Sequence, residues 1–164
     1  MKIATLLQYA KHKDGTYVSF EMSKDSRALL DHFVEMNLGL TERIDPNTYH
    51  ITVIYSRTPV PAAETLEKNT SATANAVQYE VFPTKDNKKC LVLRVESKSA
   101  EHLNKWLNVQ GATSDYADYK PHVTLCYDYM GKDDLSQLPL PQFPLTFDVL
   151  NVAPLDPEFV PSNK

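Results

Sequence analysis

Two stretches of the chain, Tyr49–Tyr55 (YHITVIY) and Pro121–Tyr127 (PHVTLCY), carry nearly the same pattern 72 residues apart. Each contains His, an aliphatic residue, Thr, an aliphatic residue, an apolar residue and Tyr, in that order. Alternation with a period of two is typical of a half-buried β-strand. We therefore predict two strands that show His and Thr on one face and bury the alternate residues on the other. The residues predicted to be buried are Ile51, Val53 and Tyr55 in the first strand and Val123, Leu125 and Tyr127 in the second.

The polar face of these strands presents His50 and Thr52 in one copy and His122 and Thr124 in the other. Histidine can both accept and donate a proton near neutral pH. Two histidines across a cleft could therefore catalyse an in-line displacement at phosphorus, in which one takes the proton of the attacking hydroxyl and the other protonates the leaving oxygen. The threonine hydroxyls, about 6.5 Å further along each strand, could donate to non-bridging phosphate oxygens.

The composition limits the class of protein. A chain of 164 residues is long enough for one core and too short for two ordinary domains, so we predict a single domain over residues 1–164, with pseudo-repeat halves at about 15–57 and 89–130. The formal net charge of −4 argues against long nucleic acid as a partner, because general nucleic-acid binders need a basic face. No signal-peptide or membrane-span pattern is found, so we expect a cytoplasmic protein without a membrane partner.

Each half is predicted to run in the order strand, helix, His-x-Thr strand. A small number of helices among many strands favours an α+β fold, in which two mostly antiparallel sheets face a central cleft and the helices lie outside. The predicted strands besides the two motifs are Thr16–Phe20, Ala76–Phe82, Cys90–Val95 and Leu145–Val152, and the predicted helices run from about Ser26 to Asn37 and from about Ser99 to Val109. Ser23 or Asp25 can cap the first helix, and Gly39 can end it.

One segment is predicted to be a linker, and two proline-rich segments are predicted to contain no regular element. The stretch from Thr58 to Ser71 has two prolines and a polar end and is the candidate linker between the halves. The proline-rich stretches Leu138–Pro144 and Pro154–Pro161 are expected to wrap the surface, because proline cannot donate a backbone hydrogen bond.

A metal site is the nearest alternative for the same histidines. The chain has no His-x-His and no Cys-x-x-Cys spacing, so the ligand pattern is poor for a metal. Cys90 and Cys126 both fall inside predicted strands, which favours reduced, packed thiols over a disulfide. We therefore expect neither a metal nor another cofactor.

Two His-x-Thr strands in a two-lobed α+β arrangement resemble the two-histidine (2H) phosphoesterase superfamily. That superfamily includes RNA cyclic phosphodiesterases and enzymes that cut 2′–5′ oligoadenylates. The resemblance implies that His50 and His122 are the acid–base pair and that Thr52 and Thr124 bind the phosphate.

Four further stretches are similar to the small phage anti-CBASS phosphodiesterases. They are Gly15–Val18 (GTYV), Leu38–Pro46 (LGLTERIDP), Tyr49–Ser56 (YHITVIYS) and Leu155–Phe159 (LDPEF). This resemblance implies metal-independent cleavage of a 3′–5′ bond in a small cyclic di- or trinucleotide, such as cyclic GMP-AMP, inside the infected bacterium. The substrate would be a signal that the host makes to trigger defensive effectors.

A nucleotide substrate also needs contacts to its bases and charges. Tyr17 and Tyr79 are candidates for stacking on a base, and Lys120 is a candidate phosphate contact because it lies two residues before His122. Two other functions stay open: an RNA 2′,3′-cyclic or 2′–5′ phosphodiesterase of the same fold, and a protein that sequesters a nucleotide without cutting it. The pseudo-symmetry of the motifs also leaves open which histidine is the acid and which the base.

Overall fold

The computed structural model describes residues 12–115, 118–131 and 134–156. The predicted α+β fold is confirmed: a six-stranded antiparallel sheet is accompanied by two α-helices. The strands are β1 (Thr16–Met22), β2 (His50–Ser56), β3 (Ala72–Pro83), β4 (Lys89–Glu96), β5 (His122–Cys126) and β6 (Leu145–Pro154), and the helices are α1 (Lys24–Asn37) and α2 (Lys98–Val109). None of the helices in this described part of the chain is long and apolar enough to cross a membrane.

The strand order is β2-β1-β6-β3-β4-β5, which places the two His-x-Thr strands at opposite ends. The two halves of the sheet are joined where Ala72–Ala74 of β3 pairs with Leu145–Phe147 of β6. From Asn75 onwards β3 pairs with β4 instead. This short joint divides the sheet into a β2-β1-β6 lobe and a β3-β4-β5 lobe.

The two end strands nevertheless meet. β2 and β5 contact each other, and the segment that leads into β2 pairs with β5 through a hydrogen bond from Ile44 N to Leu125 O at 3.0 Å. A flat sheet would hold its end strands far apart, since each intervening strand adds about 4.8 Å. The lobes therefore fold towards each other, and the two motifs come to one cleft.

Helix α1 begins and ends through local chemistry. The Ser23 hydroxyl accepts a hydrogen bond from Ser26 N at 3.3 Å and caps the helix, so Ser23 rather than Asp25 is the cap. Gly39, just beyond the C-terminal end, has φ +58°, a left-handed conformation that glycine adopts at low cost. Leu30 and Val34 are fully buried and attach the helix to the core.

Helix α2 belongs to the second half of the sequence but packs on β2 of the first. Ser97 caps its N-terminus through Ala100 N at 3.3 Å. In the buried interface, Asn104 Nδ2 donates to Val53 O at 2.8 Å. This bond fixes the backbone of β2 at the residue that follows Thr52.

Most of the predicted alternation is present. The four central aliphatic residues of β2 and β5 are buried, Tyr55 is buried, and the His and Thr residues of both motifs are half-buried. The prediction for Tyr127 is wrong, because β5 ends at Cys126 and the tyrosine beyond it is 56% exposed. Cys90 and Cys126 are both buried thiols, and no disulfide joins them.

The segment between β2 and β3 does not behave as a linker. It contains a short 3-10 helix, Pro61–Thr65, in which Ala63 is fully buried. Further on, Lys68 O accepts a hydrogen bond from Leu150 N of β6 at 2.8 Å. The interpretation of Thr58–Ser71 as a linker is therefore wrong.

The proline-rich stretch Leu138–Pro144 contains no helix or strand, as predicted. The prediction that Pro154–Pro161 contains no regular element is wrong at Pro154, because this residue is the last of β6. Residues 157–161 lie outside the described residues.

Candidate active site

The polar faces of β2 and β5 border one cleft. A cavity of about 370 Å³ is lined by His50 of the first motif and Thr124 of the second. Arg43, Asp45 and Tyr127 also lie on its wall. β2 and β5 contact each other, and a positive charge on His50 lowers the pKa of His122.

Both histidines are held in the same way. His50 Nδ1 lies 2.7 Å from Thr48 O, and His122 Nδ1 lies 2.8 Å from Lys120 O. A carbonyl oxygen can only accept, so each Nδ1 carries its hydrogen and donates it. Nε2 is therefore the nitrogen that exchanges protons in both rings. The carbonyls fix the tautomer and the ring orientation.

The surroundings of His122 favour its neutral form. Burial lowers the pKa of His122, and the positive charges of His50 and Arg94 lower it further. The carbonyl of Lys120 and the carboxylate of Glu80 act in the opposite direction without cancelling the effect. His122 is therefore uncharged at neutral pH.

An aromatic ring covers part of the same imidazole. The rings of Phe82 and His122 lie edge to face, with centroids 5.1 Å apart and an interplanar angle of 88°. The contact excludes water from one side of His122 and limits its rotation. It comes from β3, two strands away from β5.

Two tyrosines hold Thr52. The Tyr17 hydroxyl and Thr52 Oγ1 share a hydrogen bond of 2.9 Å, and the Tyr119 hydroxyl donates to Thr52 O at 2.8 Å. Burial raises the pKa of both tyrosines, so both remain protonated. Thr52 is therefore fixed at its side chain and its backbone.

The other residues predicted for the site have different outcomes. Tyr17 lies at the site, where its hydroxyl contacts Thr52 and its ring contacts Tyr55, and stacking on a base stays a prediction. Lys120 is exposed and precedes β5, which begins at His122. Its carbonyl holds His122, and a phosphate contact by its side chain stays a prediction.

The prediction that Tyr79 contacts a base is wrong. Its ring is 6% exposed and belongs to the hydrophobic core, and its hydroxyl donates to Pro139 O at 2.7 Å. The register of β3 places Tyr79 opposite Leu93, which is fully buried. The tyrosine therefore points to the core side of the sheet.

Tyr127 and Arg94 are two of the residues at the site that sequence reasoning missed. Tyr127 lines the cavity beside His50, and the available signal was the end of the strand before Asp128. Arg94 lies directly opposite His122 in the β4–β5 pair and forms an ion pair with Glu80 at 2.8 Å. Its signal was a single charged residue inside the otherwise apolar run Cys90–Val95.

Residues 14–162 match the family model of anti-CBASS protein Acb1. The chain belongs to the Acb1 family. This Acb1 family member is 31% identical over 128 residues to anti-CBASS protein Acb1 of Vibrio phage KVP40, covering 78% of this chain and 80% of the relative. It is 26% identical over 123 residues to the Acb1 protein of Salmonella phage S16, covering 75% and 78%.

Solved structures share the fold of this Acb1 family member. TT0787 of Thermus thermophilus has a TM-score of 0.57 at 12% identity, covering 84% of this chain and 86% of that one. LigT of E. coli, complexed with NADP+, has a TM-score of 0.54 at 13% identity, covering 84% and 85%. The anti-CBASS family implied by resemblance is confirmed, and the chain shares its fold with these solved structures.

Proposed function

We propose that this Acb1 family protein is a phosphodiesterase that cleaves 3′–5′ bonds of cyclic di- or trinucleotides such as cyclic GMP-AMP. It acts without a metal ion, in the cytoplasm of the infected bacterium, and removes the signal on which the CBASS defence depends. The observation that carries the proposal is the matched pair of imidazoles. Each has Nδ1 anchored on a carbonyl two residues earlier, so each keeps Nε2 for proton transfer.

The reaction is an in-line displacement. One Nε2 takes the proton of a ribose 2′-hydroxyl, whose oxygen attacks the adjacent phosphorus. The bond from phosphorus to the 5′ oxygen breaks, and the second Nε2 gives that oxygen a proton. The ring opens to a linear nucleotide with a 2′,3′-cyclic phosphate, which hydrolysis can convert to a 3′-phosphate.

The threonines hold the phosphate during this step. Thr52 and Thr124 lie two residues after His50 and His122 and share their strand faces. As neutral hydroxyl donors they can bind the non-bridging oxygens. The hydrogen bond between Tyr17 and Thr52 keeps the Thr52 hydroxyl in place, which supports binding by preorganisation.

The cleft supports a small nucleotide substrate. Its volume of about 370 Å³ lies at the lower end of the range for small-ligand sites. Tyr127 is 56% exposed on its wall and offers a face on which a base can stack. The net charge of −4 disfavours long RNA as the substrate.

The experiment is to incubate the protein with cyclic GMP-AMP in excess EDTA and to identify products by chromatography and mass spectrometry. We expect a linear dinucleotide that carries a 2′,3′-cyclic or 3′-phosphate. Activity lost in EDTA and restored by a divalent cation would refute the metal-independent mechanism.

Parallel incubations separate the other two functions. Cleavage of RNA 2′,3′-cyclic phosphates or 2′–5′ oligoadenylates, with cyclic GMP-AMP left intact, would assign the chain to RNA processing. Stoichiometric binding of cyclic GMP-AMP without any product would identify a sequestering protein.

A further inference from the structure

The cross-strand neighbours of the two histidines carry opposite charges. In the β1–β2 pair Glu21 lies opposite His50, and in the β4–β5 pair Arg94 lies opposite His122. Residues directly opposite in an antiparallel pair project from the same face with Cβ atoms about 5 Å apart. The same position therefore holds a carboxylate beside one imidazole and a guanidinium beside the other, which breaks the pseudo-symmetry of the site.

The carboxylate of Glu21 lies on the cleft side of the first lobe. Its negative charge contributes to the raised pKa of the Tyr17 hydroxyl, which is hydrogen-bonded to Thr52. The other charged groups on this side are Arg43 and Asp45, which line the cavity with His50. Arg43 is paired with Asp31 at 3.3 Å, and Asp45 adds a second carboxylate. This side of the cleft therefore carries two carboxylates, Glu21 and Asp45, and one cation that is already paired.

The guanidinium of Arg94 is fixed beside His122. Its Nη1 donates to Glu80 at 2.8 Å, and its Nε is buried without a hydrogen-bond partner among the residues described. The guanidinium stays charged at every pH at which a protein is folded. Together with the Phe82 ring and the burial of His122, Arg94 opposes a positive charge on this imidazole. Glu80 offsets only part of that effect.

We propose that Glu21 and Arg94 are positioning residues that fix the roles of the two histidines, with His122 as the general base and His50 as the general acid. In the reaction, His122 Nε2 takes the proton of the 2′-hydroxyl. The 2′ oxygen bonds to phosphorus, the bond to the 5′ oxygen breaks, and His50 Nε2 gives its proton to that oxygen. When the product leaves, His122 is protonated and His50 is neutral, and proton exchange with water restores the starting states. This inference rests on the proposed function.

A substrate with sulfur in place of the bridging 5′ oxygen tests the assignment, because a thiolate leaves without being protonated. The probe is cyclic GMP-AMP with this substitution, assayed with His50→Ala and His122→Ala. His50→Ala is expected to lose about 100-fold or more on the oxygen substrate and to recover most of this on the sulfur substrate. His122→Ala is expected to stay defective on both. Rescue of His122→Ala alone, of both variants or of neither would overturn the assignment.

The roles of Glu21 and Arg94 are tested by the pH dependence of the rate. The base must be neutral, so the rate rises with pH until the pH exceeds the pKa of His122. Arg94→Met removes a cation and frees Glu80, and both changes raise the pKa of His122. The rising limb should therefore move up by about 1 pH unit, whereas Arg94→Lys, which keeps the charge, should leave it in place. A limb unmoved by Arg94→Met would refute the role of Arg94.

Glu21→Gln removes the carboxylate beside His50 and should move the falling limb of the same profile to lower pH. Glu35→Gln, an exposed carboxylate on α1, is the matched control and should change neither limb. An unmoved falling limb in Glu21→Gln would refute the role of Glu21.

An NMR titration of the imidazole protons keeps this inference separate from the proposed function, since it needs no substrate. His122 should lose its proton at a lower pH than His50. The reverse order would overturn the assignment, whatever the protein cleaves. If wild-type protein cleaves no cyclic nucleotide while the order holds, the proposed function fails and the asymmetry of the site stands.

Discussion

Removal of one hydroxyl, in Tyr17→Phe, tests whether the threonines of the motif work as fixed phosphate donors. Tyr17 contacts Thr52 Oγ1 at 2.9 Å, and the phenyl ring of the variant can keep its edge-to-face contact with Tyr55 at 6.4 Å. The change is therefore confined to hydrogen bonds with the neutral side chains of Thr52 and Ser19, and the bond to Thr52 contributes about 0.5–1.5 kcal/mol. If that bond orients Thr52 for the transition state, kcat/KM for cyclic GMP-AMP should fall about 2- to 12-fold.

A double-mutant cycle with Thr52→Val isolates this effect. Thr52→Val removes the hydroxyl on which Tyr17 acts, so adding Tyr17→Phe should then cost nothing further in kcat/KM. The coupling energy should equal the whole effect of Tyr17→Phe alone. Additive losses from the two substitutions would refute the claim that Tyr17 acts through Thr52.

Tyr119→Phe is the matched control, because the Tyr119 hydroxyl donates to the carbonyl of the same residue at 2.8 Å. Its loss leaves a backbone acceptor without that donor, so we expect a lower free energy of unfolding, by about 1–3 kcal/mol. Its effect on kcat/KM should persist in the Thr52→Val background, since the carbonyl is still present there. Thermal denaturation and steady-state kinetics on the three single variants and the two double variants give both readings.

Three further substitutions test other parts of the account. Tyr127→Ala should raise KM for cyclic GMP-AMP about 5- to 150-fold, whereas Tyr127→Phe should leave it nearly unchanged, because stacking on a base needs the ring and not the hydroxyl; equal effects of the two would argue against stacking. Asn104→Ala should lower the free energy of unfolding by about 1–3 kcal/mol in denaturant titration, because it removes the buried bond to Val53 O at 2.8 Å; an unchanged midpoint would show that the bond adds no stability. Gly15→Ala should cost at least about 2 kcal/mol by the same assay, since Gly15 has φ +128° and an added Cβ would lie 2.0 Å from Ser56 O; a silent substitution would refute this backbone geometry.

The parts of the fold that could be predicted from the sequence depend on neighbours along the chain. The period-two pattern located β2 and β5 and the half-buried faces of His50 and His122. The cap at Ser23 and the glycine after α1 follow from local backbone chemistry in the same way. These signals predicted the two half-buried histidines without any knowledge of the pairing of the strands.

The parts that could not be predicted depend on contacts between distant residues. The strand order places β6 between β1 and β3, and no local pattern encodes that pairing. Tyr79 was assigned to the wrong face because its burial is decided by the register of β3 against β4. Arg94 became visible as a neighbour of His122 only when β4 and β5 were paired.

The most direct test of the central claim is the number of cyclic GMP-AMP molecules linearised per protein molecule, with substrate in large molar excess and EDTA present. Wild-type protein should turn over many times, and so should His32→Ala, which removes an exposed histidine of α1. His50→Ala and His122→Ala should each reduce the rate by about 100- to 10,000-fold. Undiminished turnover in either of these variants would contradict catalysis by the paired imidazoles.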